Sequence, residues 1–315
     1  MPEQLADGVY AIEAQFEDVP MQVYVIVGDS VAVIDPGVVT TPEHQLAAGL
    51  KELGLSLAQV DTVLVTHGHH DHFGGNGVMK AHNPNLRVLA HAHDAAWIQD
   101  VDRYLAESLG PLAPYWTPPA AHTDRIRRLC GDTVAVDEVL EHGQTIDLGR
   151  GHRLHVEHIP GHTDGHVAFF HERGKVLFTG DALQGHGTPL LRRPDFYPNY
   201  SSVTDYERSL DYFAACGAEI VGTAHANVCT AHRGAQIIAD SRIHLAGVQD
   251  FLAARLREAG RLTRPEAVAA VLEAWPRYRM GPNVVRSVGA QLDNLVTVGS
   301  ARRHDEPSAI YEWIA

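Results

Sequence analysis

The stretch VTHGHHDHFGG, residues 65–75, places four histidines and one aspartate within six consecutive positions, His67 to His72. The first histidine, His67, directly follows the apolar, β-branched run TVLVT (62–66), which predicts a short buried strand. Residues His67 and His69 are two positions apart, so in extended backbone their side chains point the same way. A solvated basic run would contain lysine, yet none occurs between Lys51 and Lys80. The run therefore predicts a metal-binding loop at the end of a strand.

Three later segments repeat this arrangement, because each places a potential metal ligand just after an apolar run. His162 follows HVEHIPG, Asp181 follows KVLFTG and His225 follows EIVGTA. The candidate ligands are His67, His69, Asp71, His72, His162, Asp181 and His225. Five imidazoles and two carboxylates suit zinc, manganese or ferrous iron better than calcium or magnesium. Seven ligands exceed one tetrahedral site, so we predict two divalent metal ions that share a carboxylate, with zinc preferred.

Apolar strand-like runs alternate with helical patterns through the first two thirds of the chain, which favours an α/β layered fold. A hairpin is predicted over residues 21–37, and helices over 41–54, 94–109 and 204–216, the last with Thr204 and Glu207 as a capping box. From about residue 231 the pattern is helical. We predict a catalytic domain over residues 1–230 and a helical extension over 231–315 that packs on it. Residues 110–130 contain four prolines and are interpreted as an inserted loop or lid.

The composition limits the partners. With 25 Lys and Arg against 39 Asp and Glu, the net charge is −14, which disfavours nucleic acids and anionic membranes. No apolar run approaches the length of a membrane span. The three cysteines fit no disulfide framework, so a reducing, cytoplasmic location is expected. We expect a small-molecule substrate, and the apolar C-terminal helices could alternatively form a homodimer interface.

The motifs THGHHDHFGG, GHTDGH, TGDAL and TAH, in this order, resemble the HxHxDH signature and subsequent ligand motifs of the metallo-β-lactamase-fold superfamily over about residues 8–230. This resemblance implies an αββα sandwich with a dinuclear metal centre at the sheet edges. It also implies a role for each candidate ligand. His67, His69 and His162 would bind the first metal ion, Asp71, His72 and His225 the second, and Asp181 would bridge them.

Within the superfamily, the aspartate at position 181 resembles the glyoxalase II, lactonase and ribonuclease Z branches, whereas the β-lactamases usually have Cys or Ser there. The resemblance implies a hydrolase that attacks the carbonyl of a thioester, ester or lactone with a metal-bridging hydroxide. Asp71 could orient that hydroxide and transfer a proton. Three alternatives stay open: a phosphodiesterase with a small substrate, a mononuclear iron dioxygenase that acts on persulfides, and a regulator without catalytic activity.

Two further groups are candidates for substrate contacts. Tyr197 and Tyr200 follow Asp181 and could donate to a developing oxyanion, although a structural role is the alternative. Arg277, Arg279 and Arg286 could bind a carboxylate or phosphate of a thiol carrier, with a solvated helix face as the alternative.

Overall fold

The computed structural model describes residues 1–191, 195–304 and 309–314. The first β-sheet is formed by the N-terminal part of the chain. Its strands, in spatial order, are β1 (Glu3–Ala6), β2 (Val9–Phe16), β3 (Val19–Val27), β4 (Val31–Ile34), β5 (Thr62–Leu64), β6 (Arg87–His91) and β7 (Glu138–Leu140). Neighbours from β1 to β4 are antiparallel, which confirms the predicted hairpin. Neighbours from β4 to β7 are parallel, so their carboxyl ends lie at one edge.

The second sheet lies against the first. Its strands, in spatial order, are β13 (Cys229–Thr230), β12 (Ile220–Gly222), β11 (Val176–Phe178), β10 (Val167–His171), β9 (Arg153–His158) and β8 (Thr145–Asp147). Strands β11 and β12 are parallel, whereas β9 and β10 are antiparallel and joined by the loop 159–166.

The outer face of the first sheet is covered by helices α1 (Ala47–Glu52), α2 (His70–Phe73), α3 (Asn76–His82), α4 (Ala92–Gln99), α5 (Val101–Leu109) and α6 (Ala120–Cys130). The second sheet is covered by α7 (Val203–Ala215) and α8 (Ala231–Ala259), and α9 (Arg264–Ala274) and α10 (Pro282–Thr297) follow in the C-terminal extension. Helix α1 is preceded by a π-helical segment, Pro42–Leu46, and 3₁₀ turns form at Leu57–Gln59 and Gly110–Leu112.

Strand alternation explains the layers. On β3, Val23 and Val25 face one core with helix residues such as Ile98 and Ile126, whereas Tyr24 and Ile26 face the second sheet. The outer face of the second sheet packs on α7 and α8 in a further core. The order helix, sheet, sheet, helix is the predicted αββα sandwich.

The C-terminal extension contains more than helices. Helices α8, α9 and α10 form a core of their own with a small antiparallel sheet, whose strands in spatial order are β14 (Arg261–Thr263), β16 (Ile310–Trp313) and β15 (Ala301–His304). This sheet was not predicted, because its strands are short and carry several charged residues. The proposed boundary at residue 230 coincides with the start of α8 but stays a prediction.

Two local predictions are wrong. The helix predicted over 94–109 is interrupted at Asp100, whose extended backbone ends α4 and whose side chain accepts hydrogen bonds from the amides of the first turn of α5. Helix α7 begins at Val203 with Ser202 as its N-cap, since the Ser202 hydroxyl accepts from the Asp205 amide. Thr204 and Glu207 therefore form no capping box.

Part of the proline-rich insert, residues 110–130, forms regular secondary structure. It contains the 3₁₀ turn, an irregular segment around Trp116 and helix α6. Trp116, His122 and Arg125 line a large cavity above the candidate metal centre. A lid function for this insert stays a prediction. No helix in the described part of the chain has the length and apolar character needed to cross a bilayer.

Candidate metal centre

The candidate ligands meet where strands from both sheets end. His67 follows β5, His162 lies in the loop between β9 and β10, Asp181 follows β11 and His225 follows β12. They fall into two groups of converging ligand atoms. The first group contains His67, His69, His162 and Asp181, and the second contains Asp71, His72 and His225. All seven predicted ligands thus lie at one edge of the sandwich.

In the first group three ring nitrogens converge on a common point. Nε2 of His67 is 3.0 Å from Nδ1 of His69, and Nε2 of His162 is 2.9 Å from Nδ1 of His69 and 3.2 Å from Nε2 of His67. Tetrahedral zinc ligands about 2.05 Å from the ion lie about 3.3 Å apart. The spacing of the three nitrogens therefore fits a small divalent cation between them.

Asp181 faces both groups. Its Oδ2 atom is 3.7 Å from Nε2 of His162 in the first group. Its Oδ1 atom is 3.6 Å from Nε2 of His72 and 3.3 Å from Nε2 of His225 in the second. Asp71 completes the second group with Oδ2 at 3.4 Å from Nε2 of His225. One carboxylate thus presents an oxygen to each group.

Hydrogen bonds to the outer ring nitrogens fix which nitrogen carries the proton. Nδ1 of His162 is 2.7 Å from the Asn199 carbonyl and Nδ1 of His225 is 2.8 Å from the Pro20 carbonyl. A carbonyl oxygen only accepts, so both Nδ1 atoms donate and Nε2 is the ring nitrogen that faces the centre. Each ring therefore presents to the centre the nitrogen that a metal ion would use.

Asp35 and Thr66 support the remaining imidazoles and were not singled out from the sequence. Oδ2 of Asp35 is 2.9 Å from Nδ1 of His72 and accepts from the Thr66 hydroxyl at 2.7 Å. Since that hydroxyl donates to Asp35, it accepts from Nδ1 of His67 at 3.1 Å. Nε2 of His72 is buried and makes no hydrogen bond within the described residues, so it is available to a cation.

Asp94, also missed from the sequence, joins two of the loops. Its carboxylate is buried and accepts from the Gly68 amide at 2.7 Å, the Thr163 hydroxyl at 2.6 Å and the Gly165 amide at 3.0 Å. Gly68 precedes His69, and Thr163 follows His162. The carboxylate therefore sets the distance between the two ligand-bearing loops.

The charges of the two groups differ. Burial lowers the pKa values of His67 and His69 well below the ordinary value, and burial also lowers that of His162 to about 4, so these rings are neutral at pH 7. Burial opposes protonation of His72 as well, but the charges of Asp35 and Asp181 outweigh it and raise the pKa of His72 to about 10. The first group is thus already in the form that binds metal.

The negative charge of the centre comes from Asp71 in the second group and from Asp181, which faces both groups. Burial disfavours ionisation of Asp71 and Asp181, but the neighbouring imidazoles outweigh it and hold the pKa values of both carboxyls well below their usual range. Asp181 and Asp71 in turn raise the pKa of His225 well above its ordinary value against the effect of burial. Protons on His72 and His225 provide the positive charge that compensates these carboxylates. A bound cation would replace those protons.

Tyr197 and Tyr200 do not present their hydroxyls to the centre. The Tyr197 hydroxyl is buried, although part of its side chain lines the cavity. Tyr200 is fully buried, its hydroxyl accepts from Gln291 at 2.9 Å, and its amide donates to the Ser287 hydroxyl. The geometry therefore does not support the catalytic role predicted for either tyrosine, because Tyr200 packs against α10 and the Tyr197 ring packs against His244 and Tyr278.

Several further residues near the centre have positions that the sequence did not specify. His70, which is not among the candidate ligands, lines the cavity with Nδ1 at 3.7 Å from Oδ1 of Asp71. His166, which the sequence did not mark, stacks on His67 at a ring distance of 4.4 Å. Arg279 and Arg286 line the cavity, whereas Arg277 donates to the His186 carbonyl.

Comparison with known proteins agrees with this geometry. Residues 18–225, which contain all seven candidate ligands, match the family model of the metallo-beta-lactamase superfamily. The chain belongs to this superfamily. The superfamily relatives include metal-dependent hydrolases, and this chain is a metallo-hydrolase of the same superfamily.

Among curated superfamily members, the chain is 30% identical over 178 residues to hydroxyacylglutathione hydrolase of Haemophilus influenzae, covering 55% of this chain and 71% of that protein. It is 30% identical over 184 residues to an acyl-coenzyme A thioesterase of Gallus gallus, covering 54% of this chain but only 57% of the thioesterase. A solved metallo-beta-lactamase family protein from Thermus thermophilus is 25% identical, covers 99% of this chain and 100% of its own, and has a TM-score of 0.78. The last match includes the C-terminal extension.

Proposed function

We propose that the protein hydrolyses thioesters with a centre of two divalent cations, with zinc preferred and manganese or iron as alternatives. The observation that carries this proposal is the position of Asp181, whose two oxygens face the two separate ligand groups. A single cation would need only one of these groups. Esters and lactones are the related carbonyl substrates in the same class.

The donor set assigns each side chain a task. His67, His69 and His162 would hold one cation, and Asp71, His72 and His225 the other, with Asp181 shared. When bound, such a pair of cations supplies Lewis acidity for a carbonyl oxygen and a water-derived nucleophile at neutral pH. Asp71, in contact with His225 and close to His70, is placed to orient water and to accept its proton.

The chain offers no thiolate that could replace water as the nucleophile. Burial raises the pKa values of Cys130, to about 12, and of Cys216 and Cys229 above the ordinary value. Protonated thiols are poor nucleophiles. Attack by water, without a covalent acyl-enzyme on cysteine, is therefore the route that these residues favour.

The cavity suits an acyl group together with part of a thiol leaving group. It encloses about 400 Å³, within the range of about 300–1,000 Å³ common for small-molecule sites. Its walls combine aromatic side chains, such as Tyr104, Trp116 and Phe196, with polar groups near the ligands. Thioester hydrolysis is also the activity named for the two curated relatives described above.

A substrate panel tests this proposal. Metal-loaded protein would be assayed with a hydroxyacylglutathione thioester, an acyl-coenzyme A thioester, a lactone and bis-p-nitrophenyl phosphate. We expect turnover of a thioester, loss of that turnover to the background rate in His67→Ala, and retention in His82→Ala, which changes an exposed histidine outside the centre. Turnover of the phosphodiester alone, or persulfide-dependent oxygen uptake with one iron per chain, would overturn the proposal.

A further inference from the structure

The charged side chains of the large cavity have an unexpected distribution. Apart from Asp71 and Asp181, the charged residues that line its described part are Arg125, Arg279 and Arg286. The chain as a whole has a net charge of −14. A cavity whose remaining charges are all positive, in an acidic protein, indicates that its occupant carries negative charge.

These arginines are not equivalent. Arg125 is already compensated, because it forms a bidentate ion pair with Glu17 at 2.8 Å for both contacts. The Arg279 guanidinium lies over the ring of Phe196, 4.7 Å from its centroid, and Arg279 does not line the second cavity described next. Arg286 alone of the three also lines a second cavity of about 270 Å³, and it shares both cavities with His69 and His162. Arg286 is therefore the cation beside the first ligand group.

Neutral groups hold Arg286 in place. Its Nη1 donates to Oδ1 of Asn199 at 2.9 Å, and its Nη2 donates to the carbonyl and the hydroxyl of Ser108 at 2.8 Å and 3.1 Å. Within the described residues, no carboxylate lies within 4.0 Å of this guanidinium. Burial lowers the pKa of Arg286 below its ordinary value, as expected for a cation without a counter-ion.

The second cavity is also lined by Asp164, Glu107 and Asp293, and none of these three carboxylates forms an ion pair with Arg286 within 4.0 Å. Glu107 accepts from Arg103 and from the Trp97 indole, both at 2.8 Å. Asp293 pairs with Arg303 at 2.9 Å. A partly buried cation that is fixed by neutral acceptors and lacks its own carboxylate is stabilised when a ligand supplies the anion.

We propose that Arg286 is a specificity-determining residue that binds a carboxylate on the acyl group of the substrate, a few bonds from the carbonyl that is hydrolysed. The proposal rests on the proposed thioesterase function. Its basis is the position of Arg286 beside His69 and His162, because the reacting carbonyl must lie close to those ligands. The substrate class is therefore a thioester of a dicarboxylic acid.

A phosphate on the thiol carrier is a poorer occupant of this position. In a carrier such as coenzyme A, the phosphates lie many bonds from the thioester, so they would reach the outer wall rather than Arg286. The guanidinium fork is also geometrically suited to a planar carboxylate. The experiment therefore has to distinguish binding of an acyl carboxylate by Arg286 from binding of a carrier phosphate.

The test uses two thioesters of N-acetylcysteamine, a neutral thiol. One carries a glutaryl group and the other the matching glutaramoyl group, in which an amide replaces the free carboxylate. In wild-type protein, kcat/KM should be at least about tenfold higher for glutaryl. In Arg286→Gln this ratio should fall to about one, a loss of about tenfold or more, while Arg286→Lys should retain part of it.

Asn199→Asp is the matched variant. It leaves Arg286 in place and gives the guanidinium a carboxylate partner within the protein. If Arg286 had only a structural role, this change would strengthen its contacts and would leave the substrate preference unaltered. The proposal predicts instead that the glutaryl preference falls. An equal effect of Arg286→Gln on both thioesters, or an unchanged preference in Asn199→Asp, would overturn it. Urea unfolding curves would check that each variant is folded.

Two further experiments distinguish binding of a carrier phosphate and failure of the proposed thioesterase function from failure of the Arg286 proposal. If Arg286→Gln lowered the preference for a neutral acyl-coenzyme A over the same acyl-N-acetylcysteamine, the bound anion would be a carrier phosphate and the proposal would be wrong. If the wild-type protein hydrolysed neither thioester, the proposed function would fail by itself. Calorimetric binding of glutarate and glutaramate would then still test Arg286, since only wild-type protein should prefer glutarate, by about tenfold.

Discussion

Oδ2 of Asp35 lies 2.9 Å from Nδ1 of His72, and both side chains are buried. Asp35 follows strand β4 and has a positive φ of 52°, an uncommon conformation for a residue other than glycine. The same carboxylate accepts from the Thr66 amide and hydroxyl. A strained residue after one strand thus orients ligands that follow the neighbouring strand, which links the fold directly to the metal centre.

Asp35→Asn should weaken metal binding in the second ligand group by about 10- to 100-fold, because it removes the charged acceptor that fixes the His72 ring. Competition with a chromophoric chelator would measure this affinity. The matched control is Asp29→Asn, the same change at an exposed position before β4, which should leave the affinity unaltered. Equal affinities in Asp35→Asn and wild-type protein would refute the role assigned to this pair.

Asp94→Asn should lower the free energy of unfolding by about 2 kcal/mol, because an amide cannot accept all three hydrogen bonds from Gly68, Thr163 and Gly165. It should also weaken metal binding, since the two ligand loops lose their common anchor. Urea unfolding and chelator competition would measure the two effects. The exposed Asp124→Asn should change neither, and a stable, metal-competent Asp94→Asn would show that the anchor is dispensable.

Ser202→Ala should destabilise the protein by about 1 kcal/mol, because it removes the hydroxyl that accepts from the Asp205 amide at the start of α7. Thr204→Ala is the matched control two positions further on and should cost less. Thermal unfolding of the two variants would compare them. A larger loss in Thr204→Ala would favour the capping box expected from the sequence over the cap found in the structure.

Removal of metal should lower the melting temperature. A ligand that binds only the folded state at about 1,000 times its Kd adds about 4 kcal/mol to the unfolding free energy, which corresponds to about 10 °C for a chain of this size. Scanning calorimetry with zinc and with EDTA would measure the shift. His82→Ala should keep the zinc-dependent shift and His67→Ala should lose most of it, whereas an identical melting temperature with zinc and EDTA would argue against bound metal.

The sequence was sufficient to place the ligands because His67, His162, Asp181 and His225 each follow an apolar strand. Strands with buried faces give strong apolar runs, and β5, β11 and β12 belong to parallel pairs whose carboxyl ends meet at one edge. Strand β9 runs in the same direction as β11, with the antiparallel β10 between them, so His162 reaches the same edge. The αββα layering followed from the same alternation of strands and helices, together with the family resemblance.

The supporting residues could not be found in this way. Asp35 lies in a DPG segment that reads as a turn, and Asp94 lies at the start of a helix, where aspartate is common. Their roles depend on contacts with loops 31 and 69 positions away in the chain. The side-chain directions of Tyr197 and Tyr200 were likewise decided by the C-terminal extension, outside the matched family region. Gln291 of α10 holds the Tyr200 hydroxyl, and the Tyr197 ring packs against His244 and Tyr278.

The most direct test of the dinuclear centre is the metal content of the protein after purification without chelators, by inductively coupled plasma mass spectrometry. The shared position of Asp181 predicts two transition-metal ions per chain in the wild-type protein and one in His225→Ala, which retains the first ligand group. One ion or fewer per wild-type chain, after saturation with zinc, manganese or iron, would contradict the account.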